Sequence, residues 1–136
     1  MSSCDLYCII GRNHEVTELS SVRDELKLTD DEALTFMSRY RRYAEHVVRQ
    51  ETVNNCFIST IFLWLKHGLR EGYLFETMVF AQENEEVLSW NELDGNLYAT
   101  YEEAVVGHER MVEKYKDGLP YEIIYGIKAM KSTEDM

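Results

Sequence analysis

The spacing of apolar and polar positions changes along this chain, and each change marks an element. The run from Leu6 to Ile10, closed by Gly11-Arg12-Asn13, reads as a short strand and its turn. Val16 to Leu19 returns beside it, and Leu19, Val22 and Leu26 then share one side of a helical turn. Ala33, Phe36, Met37, Tyr40 and Ala44 recur at helical spacing. Thr29-Asp30-Asp31-Glu32 just before them is a capping box, in which the Thr hydroxyl accepts the third helical N–H and the Glu reaches back to the cap. Acids open this segment and Arg39, Arg41 and Arg42 lie towards its end, as the helix dipole favours. The spacing predicts a helix over 30–45.

The period then becomes two. Segments 46–53 and 56–65 flank Asn54-Asn55, residues that tolerate the positive φ of a hairpin turn. In the second segment Cys56, Ile58, Thr60, Phe62 and Trp64 share one face, and Phe57, Ser59, Ile61, Leu63 and Leu65 the other. Both faces are largely apolar, which predicts a central strand covered on both sides. Gly68 and Gly72 bracket a turn, and 73–80 is the next strand, with Leu74, Glu76, Met78 and Phe80 on one face. The acidic stretch 82–95 reads as a solvated excursion holding a short strand over 87–90, and 96–99 as an edge strand. Thr100-Tyr101-Glu102-Glu103 is a second capping box. The helix it opens runs to about Lys116 and stops at Asp117-Gly118, with Tyr101, Ala104, Val105, His108, Met111, Val112 and Tyr115 facing inward. After Pro120, segment 121–130 is expected as a last strand or an oligomerisation arm, and 131–136 as a frayed tail. The expectation is one α+β domain over 1–130: an antiparallel sheet with two main helices packed on one face.

Charge narrows the partners. The 136 residues hold 25 Asp and Glu against 14 Lys and Arg, a net charge of −11. A binder held by nucleic-acid phosphates needs a basic face, so nucleic acid is not the expected partner, and neither is an anionic membrane surface. A basic protein or a small anion in a locally basic pocket suits the balance, and a second copy of the chain is a further expected partner. Cys4, Cys8 and Cys56 make no zinc spacing, and their odd number, without a signal-like N-terminus, predicts a reducing, cytoplasmic setting. No segment approaches the ~20 apolar residues of a membrane span.

No phosphate-binding loop, dinucleotide fingerprint, zinc-protease or nucleophile-elbow motif is present, and no cofactor or metal is implied. Two polar residues interrupt apolar faces: Glu76 between Leu74 and Met78, and His108 between Val105 and Met111. A buried carboxylate requires a partner. If the last helix packs on the Glu76 face, an imidazole donating to that carboxylate satisfies both groups. Two readings are open: a structural tie between helix and sheet, or a catalytic acid/base pair, with Ser59 as a further hydroxyl. Gly107, costly inside a helix, lets the backbone approach the sheet. Lys66, His67 and Arg70 form a basic spot at a strand end, read either as an ordinary solvated loop or as an anion site. Arg39, Arg41 and Arg42 in RYRRY allow stacking on a base, although Tyr40 at helical spacing reads as core.

The blocks FISTIFLWLKHG, YLFETMVF and LYATYEEAVVGHERMV resemble a group of small phage and prophage proteins of unassigned function. In that group the pattern runs STVFLGLDH, then LFETMVF, then EAxxGH. Ser59, Thr60, Phe62, Leu63 and His67 match the first block; Phe75, Glu76, Thr77, Met78 and Phe80 the second; Tyr98, Thr100, Glu103, Ala104, Gly107 and His108 the third. Trp64 stands where a small residue is usual, and Lys66 where an acid is. The resemblance implies a phage origin and a host cytoplasmic setting, and accessory roles such as counter-defence or host takeover, but no reaction. Together these readings give a ligand-binding set of Ser59, Lys66, His67, Arg70, Glu76, Thr77 and His108. The function they imply is a non-enzymatic binder of a host protein or a small nucleotide-like anion. The rivals are a small hydrolase using Glu76 and His108, and an acidic mimic of DNA.

Overall fold

The computed structural model describes residues 3–11, 13–43, 46–67 and 72–134, with the backbone alone for residues 3, 42, 43, 66, 67 and 132–134. A short 3-10 turn over Ser3–Leu6 leads into β1 (Cys8–Ile10), which pairs antiparallel with β2 (Val16–Glu18). Then come α1 (Leu19–Leu26), α2 (Asp30–Tyr43), β3 (Val47–Val53), β4 (Cys56–His67), β5 (Tyr73–Glu83), β6 (Glu86–Val87), β7 (Asp94–Tyr98), α3 (Tyr101–Lys114) and α4 (Tyr121–Glu134). The fold is α+β, as the periodicity predicts.

Both caps form. Glu32 N–H donates to Thr29 Oγ1 at 3.2 Å while Thr29 N–H donates to the Glu32 carboxylate at 3.0 Å. Glu103 N–H donates to Thr100 Oγ1 at 3.1 Å. The Asn54-Asn55 turn sets Val53 opposite Cys56 and with it the β3–β4 register as far as Arg49 opposite Thr60, beyond which a bulge places Val47 opposite Ile61. Asn54 takes the left-handed conformation that a tight hairpin requires (φ 55°).

The main sheet is antiparallel, ordered β3-β4-β5, with β7 and β6 sharing the far side of β5. Register assigns the faces. Ile58, Thr60 and Phe62 lie opposite Val79, Thr77 and Phe75 and share one face. Phe57, Ser59 and Ile61 lie opposite Phe80, Met78 and Glu76 and share the other. α3 packs across β3, β4, β5 and β7 on the first face, burying Ala104, Gly107, His108 and Met111. α1, α2 and the N-terminal turn join the same core through Cys4, Cys8, Leu19, Ala33 and Met37, which cluster with Phe62, Trp64 and Phe75.

Several expectations change. Helices cover only one face of β4 among the described residues, so its second apolar face is not a second core. The inner face of β5 is Phe75, Thr77 and Val79 rather than the Glu76 face, because the two faces are almost equally apolar and alternation alone cannot choose between them. Segment 121–130 is helix rather than the expected strand, and it continues through Glu134 into the expected tail. Residues 135 and 136 lie outside the described residues. The short strand expected over 87–90 is Glu86–Val87, set by a turn in which Asn84 and Glu85 both take positive φ.

β4 departs from regularity near its end. Its pairing with β5 shifts register between Phe62 and His67, and Trp64 sits at φ 67°. A bulky side chain there costs about 1–2 kcal/mol of backbone strain. The irregularity turns the indole into the core, edge-on to Tyr40 at 5.1 Å and to Phe62 at 5.2 Å between ring centroids.

Candidate functional site

Two arrangements stand out, one sealed and one open. The sealed one is a chain of hydrogen bonds running from the core to the surface. Thr77 Oγ1 lies 2.5 Å from Thr60 Oγ1, Thr60 Oγ1 lies 2.7 Å from His108 Nδ1, and His108 Nε2 lies 2.7 Å from a Glu51 carboxylate oxygen. Thr60, Thr77 and His108 are fully buried, whereas the Glu51 side chain is 44% exposed. With neutral imidazole the proton placement follows from the acceptor-only carboxylate. Nε2–H donates to Glu51, the bare Nδ1 accepts from the Thr60 hydroxyl, and Thr60 accepts from Thr77. Every member is satisfied, the condition under which a buried polar network rigidifies a core.

Connectivity alone makes Thr60, His108 and Glu51 a hydroxyl–imidazole–carboxylate series. Access decides its use: a nucleophile must reach a substrate, and the Thr60 hydroxyl has no exposed surface. The series acts as the tie between α3 and the sheet. His108 is buried on the inner face of α3 and does meet a carboxylate, but that of Glu51 on β3, which the sequence reading did not single out. Glu76 lies on the opposite face of the sheet from Thr77 and His108, so the expected Glu76–His108 pair does not form. Ser59 also faces away from His108 and accepts a hydrogen bond from Gln50 Nε2 at 2.9 Å. Thr77, expected to meet a ligand, is instead the innermost member of the buried series.

Gly107 explains the close approach of α3. A Cβ at this position would fall inside the Tyr98 ring, so only glycine lets the helix lie against β7 here.

The open arrangement is a cleft of about 800 Å³ where β4 parts from β3. The last contact between the strands is Phe62 N–H donating to His46 O at 2.7 Å; beyond it Tyr7 bridges to Leu65 from the other side. α2 closes the third side with Leu34, Met37, Ser38 and Arg41, and Trp64 forms part of the floor. The lining is selective. Although the chain carries 25 Asp and Glu residues, none of those among the described residues lines the cleft, while Arg41 and His46 do. Arg23 and Arg49 are held by Asp30 and Glu109, whereas Arg41 pairs with no carboxylate among the described residues. Leu34, Met37, Ile61 and Leu63 add apolar wall, and Ser38 and Tyr7 add hydroxyls. A volume of this order suits a small organic ligand held by a few polar groups.

Of the RYRRY residues, Arg41 lines this cleft, Arg39 lies exposed on the outer side of α2, and Tyr40 is core, exchanging hydrogen bonds with both backbone groups of Ile10. The side chain of Arg42 lies outside the described residues, as do those of Lys66 and His67 and the whole of Arg70. His67 ends β4 opposite Tyr73, so the backbone of the expected basic spot lies at the end of the strand that floors the cleft. Sequence reasoning missed His46, Tyr7 and Trp64 as site residues; the signal for Trp64 was its departure from the small residue of the resembling pattern. Among the described residues no three His, Cys, Asp or Glu side chains are placed to hold a metal ion, and no helix is long and apolar enough to cross a membrane.

No family model, no curated protein and no solved structure matches the chain.

Proposed function

We propose that this chain is a phage-encoded accessory protein that acts without catalysis in counter-defence or host takeover, by holding a small, nucleotide-like anion in the cleft between α2 and β4. The observation that carries the reading is the lining: in a strongly acidic chain, no carboxylate among the described residues lines this cleft, whereas Arg41 and His46 do. Guanidinium is suited to phosphate and carboxylate because its donors form a planar fork. The apolar wall offers a surface for a base or another flat ring. The strained Trp64 backbone is a second support, since strain of this kind clusters at ligand sites. The phage origin rests on the resemblance of the three sequence blocks. The hydrolase alternative loses its motivating pair, because His108 is bonded to Glu51 and is sealed with Thr60 beneath α3.

Trp64 makes the test direct. The only other indole, Trp90, is 71% exposed, so Trp90→Phe leaves Trp64 as the sole tryptophan emitter with little cost to the fold. Titrating that protein with mono-, di- and cyclic nucleotides, with inorganic phosphate as a control, should change Trp64 emission for one class. Ligand at about 100 times its Kd should stabilise the fold by about 2.7 kcal/mol, a shift of several degrees in Tm. Arg41→Glu, a change at an exposed position, should abolish both effects while leaving the unliganded Tm close to that of the parent. If no nucleotide alters emission or Tm, or if Arg41→Glu binds as well as the parent, the reading is wrong.

A further inference from the structure

The face of the sheet opposite α3 is rich in apolar side chains, and α1, α2 and α3 all pack on the other face, although Phe80 and Ser59 are already buried here. Val47, Phe57, Ile61, Met78, Phe80 and Leu97 lie on it by register, with Glu76 and, folded over Gly95, Glu92 as its acids among the described residues and Ser59, Gln50 and Thr52 between them. The contacts agree with the assignment: Phe57 stacks on Phe80, and Gln50 bonds Ser59. Trp90, from the loop before β7, stands edge-on to Phe80 with its ring 71% exposed. An antiparallel sheet that meets water alternates apolar-in with polar-out; this one does not. A contiguous apolar patch of this kind marks an interface.

We propose that a second copy of this chain covers the face, so that two sheets pack back to back as a symmetric dimer with α3 outermost on each side. Three observations point to that occupant. The first is shape: a flat, twisted apolar sheet complements itself, and two such sheets pack at about 10 Å with their strands nearly aligned. The second is area. Seven residues each of β3, β4 and β5 and five of β7, at about 3.3 Å per residue and about 4.8 Å between strands, make a face of roughly 400 Å² in projection. Two copies then cover roughly 800 Å² in projection, and side-chain relief together with the Trp90 loops carries the buried surface towards the roughly 1,000 Å² of a specific interface. The third is charge. The chain carries −11 overall, but among the described residues the patch holds only Glu76 and Glu92, both on its β7 side, so copies can meet over the rest of it without opposing rows of carboxylates. Ile61 also lines the cleft, so the dimer would form part of that site's surroundings, yet the inference does not depend on any ligand.

The net charge makes the proposal separable from docking of a basic partner. Two acidic copies repel at long range, so salt should strengthen the dimer, whereas salt weakens attraction to a cationic partner. Sedimentation velocity on the purified, ligand-free protein should show a species of twice 16.0 kDa whose dissociation constant falls at least several-fold between low and high salt. Met78→Lys should give a monomer. Val47→Lys tests the same face at a position 42% exposed in the single chain, where folding is not at risk, and should weaken the dimer at least tenfold with an unchanged circular dichroism spectrum. A wild-type protein that stays monomeric at every concentration and salt overturns the proposal, whatever other protein it binds. So does a dimer that Val47→Lys and Met78→Lys leave intact.

Discussion

His108 carries the largest local consequence of any single residue here. Its two ring nitrogens are both bonded, to Thr60 and Glu51, and removing either bond strands a buried polar group. Thr60→Val removes the hydroxyl between two buried partners and should cost about 1–3 kcal/mol in urea unfolding. His108→Gln should cost at least as much, because one amide cannot reach both sides of the gap that the imidazole spans. If His108→Gln left stability unchanged, the series would not be the tie between α3 and the sheet. Gly107 is the second sensitive residue. Alanine gains about 1 kcal/mol of helix propensity but drives a methyl into the Tyr98 ring, and overpacking of this kind costs typically 1–3 kcal/mol. Gly107→Ala should therefore lower the Tm in the wild type. In a Tyr98→Ala background the same substitution should be neutral or stabilising, and a double-mutant cycle measures the difference.

Between elements, α3 is held to the sheet at its middle and at its end. At mid-helix Tyr98 lies against Gly107; at the end Asp94 on β7 accepts from Lys114 Nζ and Tyr115 Oη, each at 2.6 Å. Burial works to raise the Asp94 pKa, but the bonds from Lys114, Tyr115 and the Gly95 N–H outweigh it and hold the carboxyl below its ordinary value. A depressed acid stabilises the fold above its unfolded pKa of about 3.9, and that contribution is lost as pH falls through the lower folded value. Asp94→Asn should then lower stability at neutral pH and flatten the decline below about pH 4. An acid limb as steep in the variant as in the wild type would remove Asp94 from this role. The capping boxes, the hairpin turn and the helices over 30–43 and 101–114 were legible because each depends on neighbours in sequence. Segment 121–134 was not: a single proline before mixed Tyr, Ile and Lys positions carries no strong period, and its helix buries Ile124 while leaving Tyr121, Tyr125 and Met130 exposed.

At the scale of the whole molecule, the open cleft and the opposite sheet face arise from one asymmetry: α1, α2 and α3 all pack on the same side of the sheet. Local chemistry in the sequence determined the helix caps and the Asn54-Asn55 hairpin turn, since these follow from φ preferences and near-neighbour hydrogen bonds. It even implied that Glu51 and Thr60 share a face, because the Asn54-Asn55 turn sets Glu51 opposite Ile58 and Arg49 opposite Thr60. Which face receives α3 was decided only in three dimensions. On β5 the alternatives are Phe75, Thr77 and Val79 against Glu76, Met78 and Phe80, and alternation weighs them almost equally. Packing broke the tie through contacts far apart in the chain: the Tyr98–Gly107 fit, the His108 bonds to Thr60 and Glu51, and the Phe62–Phe75 core. The cleft belongs to the same category, because Tyr7, Arg41, His46 and Trp64 come from four separate elements and connections, and nothing in their sequence neighbourhoods says that they meet.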